Sequence, residues 1–118
     1  MTQQQDLIMQ DVLLVLTNVP DEVTAHTIAR KVVEARLAAC VNVLPAVRSI
    51  YRWEGKVEEA GEVTMLIKTV RQRYAALEAA IRESHPYDVP EIIAVPVTAG
   101  LTAYLGWVVS ETKKDVDV

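Results

Sequence analysis

The chain has 118 residues, a formal net charge of −4 and 51% hydrophobic residues, with no phenylalanine among them. This length suits one domain that buries about two-thirds of its unfolded surface without a disulfide or metal staple. The acidic balance excludes nucleic acid as a partner, the single Cys40 excludes an internal disulfide and fits a reducing cytosol, and no apolar run nears the ~20 residues of a membrane span.

Residues 1–10 are glutamine-rich and aperiodic and read as a disordered N-terminal segment. They carry no basic stretch followed by an apolar run of signal-peptide length, so the expected setting is cytoplasmic. The domain is expected over residues 11–113, with 114–118 as a C-terminal tail. Residues 12–16 are continuously apolar, the pattern of a strand buried on both faces. Asn18-Val19-Pro20-Asp21-Glu22 then marks a helix start, with proline near the first position and acids in the first turn. Ala25, Ile28, Ala29, Val32 and Ala35 recur at helical spacing and predict a helix over about 21–37.

From Cys40 to Trp53 the period becomes two. Val41, Val43, Val47, Ser49, Tyr51 and Trp53 are assigned to one face, and Asn42, Arg48 and Arg52 to the other. Glu54-Gly55 supplies a two-residue hairpin turn. The return strand alternates Val63, Met65 and Ile67 with Glu62, Thr64, Leu66 and Lys68. Each arm runs for about a dozen residues, roughly twice the usual strand length. A ribbon that long outruns the core of one chain, and the expected cover for its bare edges is another subunit. A second helix follows over about 71–84, with Tyr74, Leu77 and Ile81 inward, and Pro86 stops it. Ile92 begins a fourth strand that contains Pro96. The last helix carries Tyr104, Leu105, Trp107, Val108 and Val109 around most of its circumference, more than one sheet face buries.

This order is β-α-β-β-α-β plus a C-terminal helix. With right-handed crossovers it is an α+β, ferredoxin-like sandwich with a long hairpin between the second and third strands. The topology puts the second and fourth strands, which carry Pro45 and Pro96, at the sheet edges, where proline is tolerated.

The segment Ser84-His85-Pro86-Tyr87-Asp88-Val89-Pro90-Glu91 is stiff, because each proline fixes its own φ and restricts the residue before it. It presents His85 as a ligand or proton carrier; a histidine at a helix C-terminus is equally suited to the macrodipole there. His26 reads as a solvated surface residue. Cys40 reads first as a small buried hydrophobe and second as a soft metal ligand. Glu62 and Lys68 share a strand face on the hairpin expected to be covered, where a charge needs a partner. Trp53 and Trp107 have the amphipathic rings that anchor interfaces. The expected ligand cleft, between subunits, is lined by Trp53, Glu62, Lys68, His85 and Tyr87. Zinc-ligand spacings are absent from the sequence, as are a phosphate loop, a nucleophile elbow and a Ser-His-Asp set, so a binding protein is expected and an enzyme is not.

Together with Ser49-Ile50-Tyr51-Arg52-Trp53-Glu54-Gly55-Lys56 and Tyr104-Leu105-Gly106-Trp107-Val108, the His85 segment resembles the CutA divalent-cation-tolerance family over roughly residues 12–111. The resemblance implies a cytoplasmic homotrimer of ferredoxin-like subunits linked to tolerance of copper and other divalent cations. Copper-binding members of that family carry a cysteine at the end of the first strand and a histidine pair before Pro-Tyr. Thr17 and Ser84-His85 stand at those positions, so only His85 is kept, and weak Cu²⁺ binding through His85, with Cys40 as the other candidate ligand, is the expectation. No obligatory cofactor is implied. The alternative is a trimeric signalling or adaptor protein similar in architecture to the PII regulators, taking a small ligand in the same clefts. An acylphosphatase-like enzyme shares the fold, but a shared fold does not give function.

Overall fold

The computed structural model describes residues 11–114. The expected disordered segment 1–10 and residues 115–118 of the expected tail lie outside them. In chain order the elements are β1 (Val12–Val19), α1 (Glu22–Glu34), β2 (Cys40–Trp53), β3 (Lys56–Val70), α2 (Arg71–Ser84), β4 (Ile92–Pro96) and α3 (Thr102–Glu111). The four strands lie in the order β2-β3-β1-β4 with every neighbouring pair antiparallel. This is the ferredoxin-like arrangement, with Pro45 and Pro96 on the two edge strands.

One face of the sheet carries the main core. Leu13, Val15, Val19, Val63, Met65 and Ile67 point from β1 and β3 onto Ala25, Ile28 and Val32 of α1 and Leu77 and Ile81 of α2. Each such fully buried aliphatic side chain contributes about 1.5–3 kcal/mol. Asp21 caps α1, its carboxylate accepting the Thr24 N–H at 2.8 Å. The helix ends three residues earlier than the apolar spacing predicts. Arg36 adopts a left-handed φ of 61°, the Leu37 N–H reaches back to the Val32 carbonyl at 2.9 Å and the Arg36 N–H to the Val33 carbonyl. That is a Schellman closure built on arginine instead of glycine, so no sequence signal announced it.

The opposite face is covered at one end only, where Leu105 and Val108 of α3 pack on Val12 and Val70. The rest of that face is apolar and open: Leu44, Ile93 and Val95 are 40%, 49% and 44% exposed, while Leu14, Leu16 and Leu66 are half-buried. β1, expected to be buried on both faces, is fully buried along its helix side and, on the other, only at Val12 beneath α3.

The hairpin is as long as its pattern predicts, and Glu54 (φ 49°) and Gly55 (φ 81°) make its turn with both residues at positive φ. Its faces are not as assigned above. Between Leu44↔Thr64 and Val47↔Glu62, Pro45 and Ala46 stand opposite Val63 alone. This one-residue bulge reverses the alternation of everything after it. Val41 and Val43 lean on the helix-side core, but Val47, Ser49, Tyr51 and Trp53 pair with Glu62, Ala60, Glu58 and Lys56 on the open face. Arg48 and Arg52, expected on the opposite side from Val41 and Val43, share their face instead.

Ala46 sits at φ 63° in the bulge, a conformation that costs an L-residue roughly 1–2 kcal/mol. Ala46→Gly is expected to raise stability by about 1 kcal/mol, and Ala46→Val to lower it, since a β-branched side chain fits that region poorly. Urea unfolding at a fixed protein concentration checks this. Equal midpoints for Ala46→Gly and Ala46→Val would contradict it.

Candidate functional site

α2 ends at Ser84, and His85 at its C-cap is extended (φ −82°, ψ 131°), as the following Pro86 requires. The exit is held by Lys31 of α1, whose ammonium donates to the Ala80 carbonyl (3.3 Å), Glu83 Oε1 (2.9 Å) and Ser84 Oγ (3.0 Å). The Lys31 ammonium keeps the Glu83 carboxyl below the ordinary carboxylate range. The start of the stiff segment is thus tied to both helices.

His85 is only 8% exposed and is fixed through both ring nitrogens. Nε2 lies 2.7 Å from the Asn18 carbonyl, and Nδ1 accepts the Tyr87 N–H at 3.3 Å. Those partners require the neutral tautomer with its proton on Nε2. The imidazole stacks at a tilt on the Tyr87 ring, centroids 4.8 Å apart. His85 therefore positions Tyr87.

Tyr87 reaches the hairpin. Its hydroxyl donates to Glu62 Oε2 at 2.8 Å, and Ser49 Oγ donates to Glu62 Oε1 at 2.6 Å. Both carboxylate oxygens are oriented by hydroxyls from different elements. Burial, then the Glu62 hydrogen bond and charge, with lesser contributions from Tyr51 and Asp21, push the Tyr87 phenol up to about 12. Beside them Asn18 donates to Glu91 Oε1 (3.2 Å) and accepts from Thr64 Oγ1 (2.6 Å). Asn18, Ser49, Tyr87 and Trp53 line an open groove of about 620 Å³ whose walls carry Glu62, Asp88 and Glu91 and no lysine, arginine or histidine.

The structure brings together three of the five expected cleft residues, Trp53, Glu62 and Tyr87, with His85 directly behind Tyr87. Lys68 is elsewhere. It is six positions along β3 from Glu62, roughly 20 Å at the rise of an extended strand, and its ammonium donates to Asn42 Oδ1 and lies 3.6 Å from Cys40 Sγ. Glu62 and Lys68, which share a strand face, therefore do not partner each other within one chain. Cys40 is level with Lys68 and Leu14, whereas the His85 partner Asn18 is level with Thr64. The two expected metal ligands thus sit at different ends of the sheet. Among the described residues no three His, Cys, Asp or Glu side chains are placed to hold an ion together, so the donors of one chain do not fit a closed metal site. The Cys40 thiol instead neighbours Tyr104, whose phenol is raised mainly by burial and further by that thiol. Thr17 is fully buried on the helix side of β1.

Asn18, Ser49 and Glu91 also line the groove and escaped sequence reasoning. Asn18 follows Thr17 after the apolar run 12–16 and falls on the open face with Leu14 and Leu16; a polar residue at that alternate position was the available signal. Ser49 was displaced by the bulge, and Glu91 by its place beyond the second proline.

Residues 13–111 match the family model described as CutA1 divalent ion tolerance protein. The chain is 46% identical over 99 residues to the divalent-cation tolerance protein CutA of Thermus thermophilus, covering 84% of this chain and 96% of that one. It superposes on the crystal structure of CutA1 from Oryza sativa with a TM-score of 0.86 and 35% identity, over 92% of this chain and 99% of that one. A solved structure described as the periplasmic divalent cation tolerance protein CutA of Archaeoglobus fulgidus gives a TM-score of 0.84 and 33% identity, over 86% and 99%. No helix among the described residues is long and apolar enough to cross a membrane.

Because the folded Tyr87 phenol is raised above its unfolded value of 10.0 to about 12, its contribution to stability is complete below the unfolded value and is lost as pH rises through the folded one. Spectrophotometric titration at alkaline pH should show Tyr87 titrating late, at about 12, and Glu62→Gln should bring that midpoint down without reaching 10, since burial remains. An unchanged midpoint in Glu62→Gln would contradict the assigned contact.

Proposed function

The chain belongs to the CutA1 divalent ion tolerance family, and from that membership we propose that it is a cytoplasmic homotrimer that binds cations in three equivalent grooves at its subunit boundaries and catalyses no reaction. The observation that carries this reading is the open apolar face. Leu44, Ile93 and Val95 project from β2 and β4 on the side α3 leaves bare, and the hairpin carries Tyr51 and Trp53 out beyond the core. A face of this kind on a lone chain is an association or aggregation surface. Edge-to-edge contact of β2 with a neighbouring β4 turns head to tail, which closes into a ring. An obligate interface of about 2,000 Å² or more suits it. The lone cysteine, Cys40, supports the cytoplasmic setting.

Cu²⁺ binds weakly in this reading. His85 offers an imidazole, the ligand that favours copper among divalent ions, but both its nitrogens already bond backbone groups, so coordination must break one of those bonds. Cys40 is the other candidate, at a separate place, beside Lys68. A PII-like nucleotide ligand is disfavoured at the Glu62 groove, because three carboxylates there repel phosphate.

Light scattering at micromolar concentration should return three times the chain mass, and a monomer mass would refute the assembly. Calorimetry with Cu²⁺ should show an affinity weaker than nanomolar that falls in His85→Ala with the trimer intact. A tight site that survives His85→Ala, or one that vanishes in Cys40→Ser, would overturn the copper assignment.

A further inference from the structure

Resting on the reading that the Glu62–Tyr87 groove is the binding site, we propose that its ligand is a small organic cation, an ammonium group carried on an apolar body, and not a bare metal ion. The walls set that preference. Tyr51, Trp53 and Tyr87 line the groove, and Glu62, Asp88 and Glu91 share it. Aromatic rings with nearby carboxylates attract an alkylated cation through the ring faces and the field together, whereas a doubly charged ion that keeps its water gains little from rings. In the single chain the three rings are 44%, 48% and 38% exposed, so whatever part of them neighbouring copies leave uncovered is buried by an occupant with its own apolar surface and not by a hydrated ion.

The carboxylates are arranged for a field more than for coordination. Both oxygens of Glu62 are already held, by Ser49 and Tyr87, and Glu91 Oε1 accepts from Asn18. A metal ion needs several oxygens turned towards one point at about 2.0–2.6 Å, and no such convergence exists among the described residues. An ammonium needs only the negative potential that these fixed groups maintain. Tyr87 stays a neutral donor to Glu62 throughout the physiological range. The volume of about 620 Å³ lies within the 300–1,000 Å³ range typical of small-molecule pockets and exceeds what one lysine or arginine side chain fills. That favours a free small molecule over a basic side chain from a second copy.

Choline and its uncharged isostere 3,3-dimethyl-1-butanol separate charge from shape. On the full chain, with the Trp53 indole resonance as readout, choline is expected to bind saturably and about tenfold or more tighter than the alcohol. Glu62→Gln should weaken choline by about tenfold, as should Asp88→Asn in part, at an exposed position whose loss does not threaten folding. Equal affinities for choline and the alcohol, or no loss in both variants, overturn the proposal. A parallel Cu²⁺ titration on the same resonance separates the two levels. A response to Cu²⁺ but not choline overturns the ligand class and leaves the groove standing; no response to either overturns both. If choline is inert and Glu62→Gln dissociates the assembly, a second copy fills the groove and the proposal falls.

Discussion

The site depends on one extra residue in β2. Because strand side chains alternate with period two, the bulge at Pro45-Ala46 decides which set of hairpin residues faces the same way as Glu62. With it, Ser49, Tyr51 and Trp53 join Glu62 on the open face; without it, Arg48, Ile50 and Arg52 would stand there instead. The groove would lose two of its aromatic rings and gain two guanidinium groups facing its carboxylates. Pro45 lacks the N–H that regular pairing needs and Ala46 takes a left-handed φ, so the local backbone carries strain for a pattern that is useful only at the surface. The bulge lies at an edge, where lost ladder bonds cost least.

The remaining site elements are rigid for separate reasons that add. Lys31 ties the end of α2 to α1, Pro86 directs the chain away, and His85 uses both ring nitrogens to fix Tyr87 against Asn18. Tyr87 then meets Glu62 with little freedom left to lose. Such preorganisation lowers the entropy cost of taking up a ligand. It also explains why His85, directly behind Tyr87, is poorly suited to hold a metal. The imidazole most visible in the sequence serves the backbone.

Most of the fold was legible because its signals are local. The periodicity of α2, the Glu54-Gly55 turn and the edge prolines each specify geometry within a few residues, and right-handed crossover fixes the strand order from there. The end of α1 was not legible, since Arg36 replaces the glycine that normally marks a Schellman closure. The site was half legible. Trp53, Glu62 and Tyr87 do meet, though within one chain where a cleft between subunits was expected, while Lys68 sits on the same face at a different height. Pattern reasoning reports the face of a strand far better than distance along it, and a one-residue slip corrupts even the face.

The central claim is that the open face and the projecting hairpin are covered by other copies of the chain. Hydrogen–deuterium exchange of the β2 amides that make no bond to β3 tests it most directly, because an uncovered edge strand offers those groups to water. Strong protection is expected at micromolar concentration, disappearing together with protection of the hairpin tip when dilution dissociates the assembly. Fast exchange at every concentration, with the helix-side core still protected, would contradict it.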